Sequence, residues 1–392
     1  MSEKFFKKLP KVELHAHING SISEDTMATL VARKQAVDQD WRLMYRKGES
    51  DTLEGVFKMF KLIHQITDNT DAVYKVTYDV IHEFAADNVK YLELRTTPRA
   101  EPGTGMTKTA YVEAVIQAIQ DCALEDIDII VRLILAIDRR HSVSVAMETV
   151  NLAAEYRKKT EGLVVGVDFS GDPSVGDGSD FIPVFEEARR HGLKLALHLA
   201  EVPAPDETWK LLQLPPDRIG HGTCLQPEVG GTQQLVDFVT AKRIPLELCL
   251  TSNIVGRTVP DYDNHHFLFW YDRRHPCIVC TDDKGVFSTT LSNEYSVAAD
   301  TFNLSRDQVW QLSLDSIDHL FSDDEVKRKL RHKERKLTRS TGNPDSRANS
   351  EDPDLWDLFM MMGTNIEKHW KTENKTTLYG HHLANGRKNN AT

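Results

Sequence analysis

"VELHAHINGS", residues 12–21, begins as a strand and ends in side chains that an apolar core would not want. Alternate residues of a strand share a face, so His15 and His17 project together from the end of Val12, Glu13 and Leu14. Taken alone, the two histidines fit a polar strand end as well as a metal site. The same design recurs along the chain, and the recurrence decides the fold. Apolar runs rich in Val, Ile and Leu appear as "KVEL", "VKYLEL", "IIVRLILAI", "GLVVGVDF", "LKLALHL", "DRIGH", "IPLELCL" and "CIVCT". Helical periods separate them, as at 111–122, 145–158 and 181–191. Buried-looking strands that alternate with helices imply parallel βα units. Eight of them are the number that closes a (β/α)8, or TIM, barrel in the α/β class.

Nearly every run ends in a polar cluster: "HAHING", "RTTPR", "DRR", "SGDP", "HLAE", "GHGT", "TSN" and "TDD". In such a barrel the carboxyl ends of the strands meet at one mouth, where an active site is built from them. The interval 21–88 is too long for a single crossover helix, so extra helices are expected over the mouth after the first strand. Near the other end, the basic run "KRKLRHKERK" leads into "STGNPDSRANSEDPD", which has no periodicity. The barrel domain is therefore expected to span 1–335, with 336–392 a polar, disordered tail. Its one apolar island, "LWDLFMMMG", reads as a transient turn.

The chain has 392 residues, 40% of them hydrophobic, enough for a large core. Its 48 basic and 59 acidic residues leave a net charge of −11, and no basic stripe stands out, which argues against a nucleic-acid partner. The opening "MSEKFFKKLPK" lacks the apolar segment of a secretory signal, and "IDIIVRLILAI" is interrupted by Asp128 and Arg132, so neither export nor a membrane span is expected. Five cysteines, an odd number, argue for a reducing, cytoplasmic setting. The pair Cys277 and Cys280 has C-x-x-C spacing but sits in an apolar run, "PCIVC", and reads as buried strand packing. A monomer is expected.

Taken as one mouth, the clusters offer His15, His17, His198 and Asp282 as metal ligands, imidazoles and a carboxylate without a thiolate. That set suits a zinc ion that keeps one position open for water, whereas structural zinc is usually closed by cysteines. Zinc brings the pKa of water to roughly 7, which makes hydroxide available at neutral pH.

In order along the chain, "LPKVELHAHINGSI", "YLELRTTPR", "SGDP", "HLAE", "RIGHGT", "LTSN" and "CTDDKGVFSTTLSNEY" resemble the adenosine deaminase family, and within it the branch that acts on nucleotides. The resemblance runs from about residue 9 to about residue 330. It implies a barrel of the metal-dependent hydrolase type with one zinc per chain, held by His15, His17, His198 and Asp282. It further implies that Glu201 protonates ring nitrogen 1 of a purine, that His221 orients the attacking hydroxide, and that Asp283 accepts a hydrogen bond from the purine. For Gly171 it implies a backbone N–H to the base. Each residue alone has a plainer reading: Glu201 as a helix cap, His221 as a buried histidine, Asp282 and Asp283 as an N-cap pair. At the ends of different strands in family order, those readings would need separate coincidences.

Asn19 departs from the ordinary adenosine deaminases, where the matching place resembles an aspartate that engages the ribose 5′-hydroxyl. A carboxylate about 4 Å from a phosphate oxygen would cost roughly 1 to 4 kcal/mol, so a neutral Asn points to a 5′-phosphate. Further contacts are expected from His17, from Thr96, Thr97, Pro98 and Arg99 of "RTTPR", and from His64 of "KLIHQIT". Arg suits phosphate because its fork binds two oxygens, although Arg99 and His64 could instead be surface or capping residues. Asp138 is either a sugar or purine contact or the partner of Arg139 or Arg140. The expected reaction takes N(6)-methyl-AMP to IMP and methylamine, with the purine nucleotide the sole small-molecule partner. The rivals are deamination of free adenosine, a two-metal hydrolase, and a non-catalytic zinc-binding barrel.

Overall fold

Strands covered on both faces need apolar residues on both, and these strands have them. In the computed structural model, which describes residues 1–34 and 53–340, every residue of β2 (Val89–Thr96) and of β4 (Val164–Ser170) is buried. Between β1 (Lys11–His17) and β8 (Cys277–Val279) come β3 (Ile130–Asp138), β5 (Lys194–Leu199), β6 (Arg218–His221) and β7 (Leu246–Leu248). The eight lie side by side in chain order, each parallel to the next. The ring is drawn together where Ala16 pairs with Asp282: the Asp282 N–H donates to His15 O at 2.8 Å, and the His17 N–H donates to Asp282 O at 3.1 Å. All eight expected runs are strands of this sheet, and helices between them supply the outer layer. Cys277 and Cys280 are buried and unpaired, as are the other three cysteines.

Register places the polar clusters on one rim. His17 pairs with Arg95, Asp138 with Ser170, and Leu199 with His221, so the carboxyl ends stand level around the mouth. The long interval after β1 contains the helices Glu24–Val31, Leu53–Ile66 and Thr70–Ala86 in place of a single crossover helix. Helix starts are set by side chains that satisfy their first free N–H groups. Ser23 accepts from Thr26 N, Asn69 from Ala72 N, and Thr107 from Ala110 N.

Residues 1–328 form one compact unit. The expected boundary at 335 falls inside the helix Asp324–Ser340, because Lys, Arg, Leu and Glu in the basic run are all good helix formers. The expected tail from 341 on, with its apolar island, lies outside the described residues.

Candidate active site

His15 is fully buried near the end of β1, and its Nδ1 donates to Glu247 Oε2 at 2.7 Å. That bond fixes the tautomer and turns the lone pair of Nε2 toward the mouth, where Nε2 makes no hydrogen bond. His198 on β5 is held alike, with Nδ1 donating to Asp168 Oδ1 at 2.9 Å. A single guanidinium braces both carboxylates: Arg95 donates to Asp168 Oδ1 at 3.0 Å and to Glu247 Oε2 at 2.9 Å. Arg218 holds the other oxygen of Glu247 at 2.5 Å. These charged groups are fully buried and paired, which a barrel interior requires of any charge it contains.

Asp282 stands at the centre. Its Oδ1 lies 3.4 Å from His15 Nε2 and 3.4 Å from His17 Nε2, while its Oδ2 accepts from Ser252 Oγ at 2.6 Å. His15, His198, His221 and Asp282 each offer a ligand atom within 4.8 Å of the others, and His17, Asp168 and His198 make a second such group. A tetrahedral site with bonds of about 2.0–2.2 Å separates its ligands by about 3.4 Å, so the Oδ1 side, with His15, His17 and His198 around it, fits a metal. His221 faces the other side, with Nε2 3.8 Å from Asp282 Oδ2 and 3.9 Å from Glu201 Oε1. Its Nδ1 accepts from Asn253 Nδ2 at 3.3 Å, which leaves the ring proton on Nε2. Burial holds His221 well below the usual histidine range, so the ring is neutral.

Backbone strain collects here. Ala200, His221 and Asp282 have φ of 52°, 61° and 61°, a left-handed region that L-residues seldom enter. For Asp282 the reason is plain: neighbours on a strand point to opposite faces, and the bend brings both Asp282 and Asp283 into the mouth. The carboxyl of Asp283 is packed against Gly20, and its Oδ1 is buried without a hydrogen bond. Burial, then the charge of Asp282, pushes this carboxyl well above its usual range. Burial likewise raises Glu201.

A Cβ on Gly20 would lie 1.6 Å from Asp283 Oδ1. Gly20→Ala is therefore expected to displace Asp283 and lower kcat/KM about a hundredfold, the cost of misplacing a contact by about 1 Å, with the metal retained. Steady-state kinetics alongside metal analysis check this; unchanged kinetics would mean that Asp283 sits elsewhere in the working enzyme.

A cleft opens beside this cluster, lined by Phe169, Ser170, Gly171, His198 and Glu201 among others. Gly171 has a φ of 104°, and a Cβ there would lie 2.5 Å from Asp138 Oδ1. Asp138, expected as a sugar or purine contact, is paired with Arg140 through Nε and Nη2, at 2.9 and 2.5 Å. Arg139 instead pairs with Glu207.

At the end of β2, Thr96 is buried, Thr97 is half-buried and Pro98 is buried. Thr96 Oγ1 and Asn19 Nδ2 both reach the hydroxyl of Tyr111, at 2.6 and 3.5 Å. Arg99 Nη2 donates to Thr67 Oγ1 at 2.7 Å and to the carbonyls of Thr67 and His64, so it caps the helix Leu53–Ile66, yet its buried Nη1 has no partner. The His64 side chain lies near Arg99 and Arg140. What burial it has, followed by those two charges, pushes its pKa down to about 4. Asp168, Glu247, Arg95, Asn253, Tyr111 and Gly20 were not singled out from sequence. Asp168 and Glu247 carried a signal, a charge inside an apolar run, and Arg95 stood in the polar cluster "RTTPR"; the others carried none.

The adenosine deaminase family model matches residues 10–336. The human protein named N6-methyl-AMP deaminase is 55% identical over 331 residues, covering 84% of this chain and 93% of its own, and its zebrafish (Danio rerio) namesake is 52% identical over 331 residues, covering 84% and 95%. Among solved structures, the Arabidopsis N6-mAMP deaminase superposes with a TM-score of 0.79 at 42% identity, covering 85% of this chain and 99% of that one. An Arabidopsis relative crystallised with IMP gives 0.79 at 40% identity, covering 86% and 99%. With the match running through every strand that carries a site residue, the chain belongs to the adenosine deaminase family.

Proposed function

We propose that this hydrolytic deaminase acts on a purine 5′-monophosphate, taking N(6)-methyl-AMP and water to IMP and methylamine. The observation that carries the monophosphate is the character of the far end of the site. Asn19 stands where a carboxylate would repel phosphate, the Nη1 of Arg99 is buried and unpartnered, and the nearby Asp138 is already neutralised by Arg140. The curated relatives named N6-methyl-AMP deaminase support the methylamine leaving group.

His15, His17, His198 and Asp282 would hold one zinc ion, matching the imidazole and carboxylate set and the unpartnered His15 Nε2. A zinc ion so held supplies hydroxide at neutral pH. The protein groups do the rest. Glu201 delivers a proton to ring nitrogen 1, which removes the aromatic resistance to attack at carbon 6. His221, neutral and protonated on Nε2, orients the attacking oxygen. Asp283 hydrogen-bonds the purine and fixes the plane of the base, while the backbone N–H of Gly171 meets its other edge. A C–O bond forms at carbon 6 and the C–N bond then breaks; the proton from Glu201 stays on ring nitrogen 1, one proton of the water returns to Glu201, and the other passes from the new C–OH to the departing methylamine. Thr96, Thr97, Pro98, Arg99 and His64 line the phosphate end. A reducing, cytoplasmic setting and a monomer complete the proposal. Five unpaired buried thiols support the setting, and among the described residues no helix is long and apolar enough to cross a membrane.

The test compares kcat/KM for AMP, N(6)-methyl-AMP, adenosine and N(6)-methyladenosine with product chromatography, for the wild type and Asn19→Asp. The substitution restores a carboxylate about 4 Å from the phosphate, so the monophosphate-to-nucleoside ratio is expected to fall about 5- to 1,000-fold. An unchanged ratio places the phosphate elsewhere.

A further inference from the structure

Tyr111 belongs to no expected contact, yet its hydroxyl hydrogen-bonds both Asn19 and Thr96. It lies in the first turn of the helix Lys108–Leu124, fully buried, with its hydroxyl against Asn19 and Thr96. A phenol has one proton. Asn19 Nδ2 donates to that oxygen at 3.5 Å, and Thr96 Oγ1, at 2.6 Å, is the acceptor that the phenolic proton can reach. Thr96 then accepts from the tyrosine, and its own proton must turn to another acceptor. The second N–H of Asn19 is likewise left over. The guanidinium of Arg99 lies 5.8 Å above the Tyr111 ring with Nη1 unpartnered. Three donors thus gather around one tyrosine. An acceptor-only group satisfies them, as a phosphate oxygen does, whereas a ribose hydroxyl would bring a proton of its own into a set already rich in protons.

We infer that Tyr111 is a positioning residue for substrate selection: its hydroxyl turns Thr96 and Asn19 into outward donors and so sets the preference for a 5′-phosphate over a 5′-hydroxyl. The inference rests on the monophosphate reading above. Tyr111 itself does not touch the substrate.

Tyr111→Phe removes the oxygen and keeps the buried ring. For N(6)-methyl-AMP, KM is expected to rise about tenfold, the loss of one well-aimed hydrogen bond to a charged group, with kcat close to wild type. For N(6)-methyladenosine, kcat/KM should hold, as should metal content and thermal midpoint. Calorimetric binding of IMP should weaken about tenfold while that of inosine does not. Thr96→Val provides the second arm: once Thr96 has no hydroxyl to aim, Tyr111→Phe should cost less than it does in the wild type, the remainder being its effect on Asn19. An equal loss on both substrates would make Tyr111 a packing residue, and no loss on either would also overturn the inference. If Asn19→Asp shifts the substrate ratio and Tyr111→Phe does not, this inference fails alone. If neither does, the phosphate placement fails and this inference with it.

Discussion

Glu201→Gln is expected to keep a full equivalent of metal and lose about a thousandfold or more in kcat. The argument separates holding a metal from moving a proton. Glu201 follows His198 by three residues, through the left-handed turn at Ala200, and its Oε1 lies 3.9 Å from His221 Nε2. It is absent from both groups of side chains that could hold a metal. The side chain is 24% exposed, and that exposure opens on the cleft it helps to line. Burial raises its carboxyl, which favours the protonated form that a general acid must start from. Gln matches the shape and donates a hydrogen bond, but it cannot surrender a proton to ring nitrogen 1. General acid catalysis is worth about 10²- to 10⁴-fold, and here the same proton also activates carbon 6 toward attack. The measurement pairs kcat with metal analysis of the same preparation. Retention of more than about a tenth of the wild-type rate would remove Glu201 from the acid role.

The eight strands were legible because a barrel strand is covered on both faces and so becomes a short apolar run with a polar end. The strand-end clusters offered His15, His17, His198 and Asp282 as a ligand set, and the family resemblance added Glu201, His221 and Asp283; the structure places them about one rim. What escaped was what holds them. Asp168 and Glu247 lie inside runs that read as apolar, "VGVDF" and "PLELCL", while Arg95 opens the polar cluster "RTTPR", and their pairings join residues 73 and 152 positions apart. No local pattern reports such a pairing. Asp138 shows the opposite limit. Both of its readings were visible in "AIDRR", and only coordinates could show that Arg140 claims it while Arg139 turns to Glu207. Tyr111 falls in the helical period at 111–122; nothing in the sequence tells that its buried hydroxyl meets Asn19 and Thr96.

The second large effect is expected at the metal. Zinc should copurify at about one equivalent, and His15→Ala or Asp282→Ala should lose metal and activity together, since each removes a donor from a set of four. Glu247→Gln should act differently. It spares every ligand but takes the charge from the group that receives His15 Nδ1–H at 2.7 Å. Outer carboxylates of this kind are worth about 10- to 100-fold in metal affinity, so competition with a chelator should reveal the loss while a saturating metal concentration restores turnover. The rival with two metals has a foothold, because His17, Asp168 and His198 could form a second group and Asp168 Oδ2 is unpartnered. Charge argues against it. Arg95 Nη1 stands 3.0 Å from Asp168 Oδ1 with both side chains fully buried, and a second dication on Asp168 would face that guanidinium in a medium that screens it poorly. A measured stoichiometry of two, or a Glu247→Gln protein that binds zinc as tightly as the wild type, would show that Arg95 does not brace the site in the way its bonds to both carboxylates indicate.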